Sequence, residues 1–228
     1  AANVMGGLLG LLFKNLLTKS MEDTLLKASS VCVLFIGIGG AMQHMLKIAD
    51  GTLETSGSMM LIICFVLGSI VGELLDIEGA FERFGAWLRK KTHNESDTGF
   101  LSAFIHASLT VCIGAMAIVG SIQDGLLGDS SLLCAKAALD AVIILVMTAS
   151  MGKGCIFSAI PVALLQGGVT LLSRVLAPVF TEAAIANLSY TGSVMIFCVG
   201  LNLVWGKKIK VANLLPTLVF AVLYALVF

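Results

Sequence analysis

Long apolar stretches separated by short polar ones form the main pattern along this chain of 228 residues. A helix needs about 20 apolar residues to cross a bilayer, and eight stretches come close to that length. The pattern therefore predicts an all-α fold, a polytopic membrane helix bundle of about eight spans. The predicted spans are 1–17, 27–46, 58–76, 99–122, 131–150, 154–177, 181–203 and 211–228.

The composition supports this interpretation and excludes a soluble domain. Hydrophobic residues make up 58% of the chain and charged residues only 12%, whereas about a quarter of the residues in a soluble domain are charged. The formal net charge is zero, so overall charge gives no reason to expect a nucleic-acid partner.

The distribution of lysine and arginine predicts the orientation. Most of the fourteen basic residues lie in the loops after the first, third, fifth and seventh spans, while Lys47 and Arg174 lie in the intervening loops. Because basic loops stay in the cytoplasm, this asymmetry places both termini outside.

Residues 77–91 predict a short amphipathic helix in the cytoplasmic loop after the third span. Ile77, Phe81, Phe84 and Leu88 recur at helical spacing, and charged residues fill the opposite face. We expect this helix to lie in the membrane interface, with its basic end at residues 89–91 near anionic headgroups. A docking helix for a partner is the alternative.

Internal similarity predicts repeats within a single integral membrane domain, residues 1–228. Residues 28–43 and 107–123 share Ala-Ser, Val-Cys, glycines and a final Gln. A weaker match, offset by 80 residues, relates two three-span units that run in opposite directions, and such inverted repeats build many transporters. The predicted units are a two-span unit (1–57), a first three-span repeat (58–150) and a second, inverted one (151–228).

Ionisable residues within spans are costly and tend to mark functional sites. Lys136 and Asp140 lie four residues apart in the fifth span, on one helix face. Asp140 is therefore the first candidate for a carboxylate coupled to a proton or cation. A purely structural ion pair is the alternative.

Glycine followed by an amide recurs at the ends of three predicted spans. The stretches end in Gln43, Gln123 and Asn202, and the sixth span contains Pro161 and Gln166. Glycine and proline can interrupt a helix and free its carbonyls to bind an ion or solute, although small residues also serve ordinary helix packing. The predicted substrate or ion site comprises Gly120, Ser121, Gln123, Asp124, Asp140, Asn202, Gln43, Pro161 and Gln166.

Motifs of soluble enzymes do not occur in this chain. It contains no P-loop, HExxH motif or hydrolase-like GxSxG context, and its three histidines lack metal-ligand spacing. Six cysteines, none in a CxxC pair, indicate small buried hydrophobes. The sequence thus predicts no catalytic residues, no metal site, no cofactor and no enzyme.

Several segments carry a resemblance to a known family. The stretch VCIGAMAIVGSIQDGLLGD, together with GELLDIEGAFERFGAWL, IFSAIP, GLNL and NLLP, resembles the bacterial membrane protein family of unknown function 554, the YdfK/YqgA-like proteins. The resemblance implies a multi-pass protein of the bacterial plasma (inner) membrane. It brings no catalytic residues to carry over.

Together these patterns predict a small secondary transporter or channel that moves an ion or small solute across the inner membrane. The alternative is a non-transporting membrane scaffold, sensor or assembly factor. The expected partners are membrane lipids and the small solute or ion, with a homodimer as one candidate assembly, because a small fold often needs a second copy to enclose a pathway.

Overall fold

The computed structural model describes residues 2–14, 18–49, 51–92, 98–112 and 115–227, and within them the fold is a helix bundle with one small hairpin. Two 3-10 helices, Lys153–Ser158 and Val211–Leu214, lead into α8 and α11. The α-helices are α1 (Ala2–Lys14), α2 (Lys19–Met45), α3 (Ser58–Leu75), α4 (Ile77–Lys91), α5 (Phe100–Cys112), α6 (Ala115–Leu127), α7 (Ser131–Met151), α8 (Ala159–Leu171), α9 (Ser173–Leu176), α10 (Glu182–Trp205) and α11 (Pro216–Val227).

The all-α prediction is confirmed, and the apolar lengths are those of a membrane protein. Within the described residues, four helical segments are long and apolar enough to cross a bilayer: Ser58–Leu75, Ser131–Met151, Lys153–Leu171 and Glu182–Trp205. Shorter apolar helices are Ala2–Phe13, Ser30–Met45, Phe100–Cys112 and Val211–Val227. The predicted span 99–122 corresponds to α5 and α6, and residues 113 and 114 between them lie outside the described residues.

A hairpin of two short antiparallel strands follows α2, where no element was predicted. Strand β1 (Leu46–Ala49) pairs with β2 (Thr52–Thr55). Gly51 in the turn has a φ of 76°, a conformation that glycine adopts without a steric penalty. Apart from half-buried Leu46, the hairpin is solvent-exposed where its burial is described, so it adds no second layer to the helical fold.

Glycines allow three helix pairs to approach closely. Gly6 and Gly10 of α1 contact Ala141 and Leu145 of α7, so these two helices run parallel. Small residues at helix interfaces let backbones pack against each other in membrane bundles.

The other two glycine-lined pairs are antiparallel. In the pair α2–α10, Leu34, Gly37 and Gly40 contact Gly200, Phe197 and Ser193 in that order. In the pair α3–α11, Gly68 contacts Thr217 of α11, and Gly72 contacts Asn213 in the 3-10 helix that leads into α11.

The segment α5–α6 runs parallel to the segment formed by the 3-10 helix and α8. Gly154 lies against Phe100 and Ala103 at the start of α5, whereas Gly125 of α6 contacts Thr170 and Ser173 at the far end. These contacts define two ends of the bundle. We call them the α4 end, at the start of α5, and the α9 end, at the close of α6.

The helix α4 has the bounds that the sequence pattern predicts for the amphipathic segment. Ile77, Phe81 and Phe84 pack on the main core, and Leu88 is buried. Trp87 remains half-exposed, and the Lys91 ammonium lies 4.9 Å above the centre of its ring. The location of this helix in a membrane interface remains a prediction.

A matched pair of glycine substitutions tests the close packing. A methyl group at Gly72 would overlap the carbonyl oxygen of Asn213, while one at Gly167 would meet no atom within 4 Å. We expect Gly72→Ala to lower the free energy of unfolding by about 1–3 kcal/mol and Gly167→Ala to raise it by about 0.5–1 kcal/mol. Thermal unfolding of the detergent-purified protein measures both, and equal shifts for the two variants would contradict the packing.

Candidate functional site

The buried ion pair of α7 is the centre of the candidate site. Lys136 and Asp140 are only 6% and 5% exposed, and the Lys136 ammonium contacts the Asp140 carboxylate at Oδ2. The same ammonium donates a hydrogen bond of 2.8 Å to the carbonyl oxygen of Val111, in the last turn of α5. The predicted ion pair is therefore formed, and the Lys136 ammonium is shared between the Asp140 carboxylate and a backbone carbonyl.

A polar cavity of about 190 Å³ lies beside this pair, between α1, α7 and α8. Its polar wall residues are Asp140, Asn3 and Gln166. Small apolar side chains, mostly alanines, form the rest of the wall and leave the space open. Two residues of the predicted site, Asp140 and Gln166, are thus brought together in one cavity.

Asn3 is a site residue that the sequence analysis missed. It is 6% exposed, and its amide nitrogen Nδ2 has no hydrogen-bond partner within the described structure. A buried donor left without an acceptor costs about 1–3 kcal/mol, and an oxygen atom of a ligand or of water in the cavity would remove this cost. The sequence did carry one signal for Asn3. Its helical spacing to Gly6 and Gly10 puts it on the face of α1 that packs on α7.

The predicted residues at the close of α6 lie elsewhere, at the α9 end. Gly120 packs against Leu133 of α7, and Ser121 is fully buried with no hydrogen-bond partner for its hydroxyl in the described structure. Gln123 and Asp124 are half-buried in the last turns of α6. None of these four residues is among those that line the cavity at Asp140.

Asn202 lies at the α4 end, where its side chain holds the chain reversal after α10. Its Nδ2 donates to the carbonyl of Ile209 at 2.7 Å, and its Oδ1 accepts from the backbone nitrogens of Lys208 and Ile209 at 3.0 and 2.9 Å. Gln123 and Asn202 therefore lie at opposite ends of the bundle, and the two glycine-amide stretches do not meet. An amide at a helix end serves loop capping here.

The remaining two predicted residues also have separate surroundings. Gln43 is exposed and lines a cavity of about 230 Å³ with Lys47, Asn187 and Tyr190. Pro161 lies in the first turn of α8, where its missing N–H breaks no helical hydrogen bond. It lines an apolar groove beside α4, and α8 continues without interruption through Gly167 and Gly168.

A second polar cluster, which the sequence analysis did not foresee, joins α3 and α4 to the chain after α10. Glu78 is 5% exposed, and its Oε2 accepts a hydrogen bond of 3.0 Å from the backbone nitrogen of Ala212. Its Oε1 lies 3.0 Å from the ammonium of Lys207, which also contacts Glu82. The position of Glu78, on the helix face that carries buried Gly85 and Leu88, was the only sequence signal.

Neighbouring contacts extend this cluster across α3. Asn213 donates to Glu73 Oε2 at 2.6 Å and accepts from the backbone nitrogen of Glu78 at 2.7 Å, while Lys210 pairs with Glu73. Burial lowers the pKa of Lys207, but hydrogen bonds to Glu82 and Glu78 outweigh it and raise that pKa above its ordinary value. The hydrogen bond to Glu73 likewise raises the pKa of Lys210.

Comparison with known proteins identifies relatives along nearly the whole chain. A family model described as a protein of unknown function (DUF554) matches residues 1–226. The uncharacterized membrane protein YdfK of Bacillus subtilis (strain 168) is 24% identical over 215 residues, which cover 94% of this chain and 88% of YdfK. The uncharacterized protein YqgA of Escherichia coli (strain K12) is 25% identical over 228 residues, covering 97% of this chain and 91% of YqgA. No solved structure matches.

Proposed function

The chain belongs to the DUF554 family, whose description names no activity, and we propose that this member is a small secondary transporter or channel of the bacterial inner membrane. It moves an ion or a small solute through the cavity beside Asp140. Membrane lipids and a second copy of the chain are its other proposed partners.

The observation that supports this proposal is the shared cavity of Asp140, Asn3 and Gln166 within apolar helices. A carboxylate in a membrane span is costly, and such residues commonly face a pathway for an ion or solute. A purely structural ion pair needs no open polar space beside it, whereas a transport site requires one. The unpartnered amide of Asn3 adds a donor that a ligand can use.

The helix directions support eight alternating crossings, which put both termini on one side of the membrane, and the basic loops favour the outside for that side. Alternation makes the first and fifth spans parallel, as α1 and α7 are, and the second and seventh antiparallel, as α2 and α10 are. The third and eighth spans and the fourth and sixth follow the same rule. We retain the inverted three-span repeats, 58–150 and 151–228, as part of the proposal, because repeats of this kind place a site near the midplane.

Flux measurements on reconstituted vesicles test the proposal. We expect wild-type protein to move at least one of radiolabelled sodium, rubidium, chloride or a neutral polyol. Asp140→Asn should reduce this flux about tenfold or more, which corresponds to about 1.4 kcal/mol of lost interaction. Gln166→Ala should also reduce it, because that side chain lines the same cavity.

Asp129→Asn is the matched control, since Asp129 is an exposed carboxylate that caps the start of α7 away from the cavity. It should leave the flux unchanged. Wild-type flux no greater than that of empty vesicles for all four probes would contradict transport. Normal flux in both cavity variants would contradict the proposed site.

The α4 end supports the second candidate, a non-transporting scaffold, sensor or assembly factor. There α4 presents Trp87 and a basic last turn, and Lys207 is tied to Glu78 and Glu82. If this surface carries the function, variants of Arg89 and Lys90 will change the cellular phenotype, while Asp140→Asn will leave it unaltered.

A further inference from the structure

We propose that Lys136 and a small monovalent inorganic cation compete for Asp140, so that the protein exchanges one such cation for one proton. This inference rests on the proposed transport function and names its substrate class. The observation behind it is that Asp140 pairs with Lys136 and also lines a polar cavity that Lys136 does not line.

Lys136 approaches the carboxylate from the side of α5. Its ammonium contacts Asp140 Oδ2 and the carbonyl of Val111, and Lys136 is not among the residues that line the cavity. Asp140 does line the cavity, from the side of α1 and α8. A cation that enters the cavity can therefore reach the carboxylate without passing the lysine.

Charge balance determines what happens when the cation arrives. With the cation bound and Lys136 still protonated, the buried site would hold two positive charges and one negative charge. An uncompensated charge at this burial is strongly unfavourable, because it loses its hydration and gains no partner. Release of the Lys136 proton removes the excess charge, and the neutral amine still donates a hydrogen bond to Val111.

No other charged group in the described surroundings of the pair compensates that excess. The Cys112 thiol of α5 is close enough to interact electrostatically with both Lys136 and Asp140. A protonated thiol carries no charge, so it does not compensate the excess. The polar residues that face the cavity from α1 and α8, Asn3 and Gln166, carry no charge. The site is therefore neutral with either the lysine proton or the cation, but not with both.

Each exchange is balanced. On one side of the membrane, the Lys136 ammonium loses one proton to water and becomes an amine, while one cation binds the Asp140 carboxylate. On the other side, the cation leaves and the amine takes up one proton from water, which completes the cycle. No bond to carbon changes, and nothing is oxidised or reduced. The net charge moved across the membrane per cycle is zero.

The requirement for a neutral site also selects the ligand. A divalent cation would leave one excess charge even after Lys136 loses its proton, and an anion would face the Asp140 carboxylate. Carboxylate and amide oxygens are hard ligands that suit small inorganic cations. Water retained by the cation supplies the oxygen acceptor that the Asn3 amide nitrogen needs.

The test uses vesicles that contain purified protein and a trapped pH-sensitive dye, with sodium or potassium ions applied outside. Wild-type protein should raise the internal pH as the cation enters, and an imposed membrane potential should not change the rate. Lys136→Gln should take up radiolabelled sodium or rubidium without the pH rise, and its uptake should follow the potential. Lys153→Gln, which removes an exposed lysine, should behave as wild type.

Lys136→Arg guards against a folding defect in the glutamine variant. Arginine keeps the ion pair, but it cannot lose its proton in a protein, so the pH rise should disappear although the protein folds. A wild-type pH rise in either Lys136 variant would overturn the exchange. Wild-type cation uptake without a pH rise would overturn the exchange and leave transport intact, whereas no uptake of any probe would overturn both.

Discussion

Replacing Asp140 with alanine while keeping Lys136 is expected to lower the free energy of unfolding by about 3–5 kcal/mol. The change leaves an ammonium that is 6% exposed with a single backbone carbonyl as its partner. Desolvation of an unpaired charge accounts for the size of the effect, since the lost attraction alone would be smaller. A thiol-reactive dye measures unfolding, because exposed Cys32 and Cys134 react in the folded protein whereas buried Cys64 and Cys155 react only when it unfolds.

The double variant Lys136→Met/Asp140→Leu separates stability from function. It removes both charges, so most of the stability should return, as it often does when a buried pair becomes apolar. Transport should remain lost. The exposed pair Lys27–Asp23 has the same i, i+4 spacing, and Asp23→Ala should cost less than about 1 kcal/mol. Equal costs at Asp23 and Asp140 would contradict the burial of the α7 pair.

Replacing Glu78 with alanine is expected to lower the free energy of unfolding by about 2–3 kcal/mol. The backbone N–H of Ala212 loses its acceptor inside the protein, and Lys207 loses one of its two carboxylate partners. Glu78→Gln keeps an acceptor for Ala212 and removes only the charge, so it should cost about half as much. The thiol assay applies again, and identical results for the two variants would contradict a specific role for the Ala212 hydrogen bond.

The pH dependence of the wild type provides a further check on this cluster. The pKa of Lys207 is raised in the folded protein by its carboxylate partners. A raised lysine pKa adds stability at pH values below the unfolded pKa, and this stability disappears as pH rises through the folded one. The contribution is therefore complete at neutral pH and lost only in strongly alkaline solution, and Glu78→Ala should weaken that alkaline loss.

The sequence predicts the features that depend on local spacing. Periodicity gives α4 its bounds, and the i, i+4 spacing puts Lys136 and Asp140 on one face of α7. The prediction of Gln166 as a site residue follows from the cost of placing an amide in an apolar helix. In each case, residues that are near in sequence are also near in space.

Features that join distant parts of the chain could not be read in this way. Glu73 and Asn213 are 140 residues apart and hydrogen-bonded, and nothing in either segment identifies the other. Asn3 shares a cavity with Asp140 because glycines let α1 pack closely on α7. The match between Gln123 and Asn202 was a resemblance between helix ends, and the structure shows that the Asn202 amide makes three hydrogen bonds to its own loop.

The glycine contacts between α1 and α7 have a consequence for biosynthesis. Gly6 meets Ala141, which the ribosome adds 135 residues later. The ribosome synthesises about 5–20 residues per second, so α7 follows α1 after an interval on the order of 10 seconds. During that interval its glycine face and the Asn3 amide lack their final neighbours, so insertion factors that shield polar groups from lipid should associate with the nascent chain over this period.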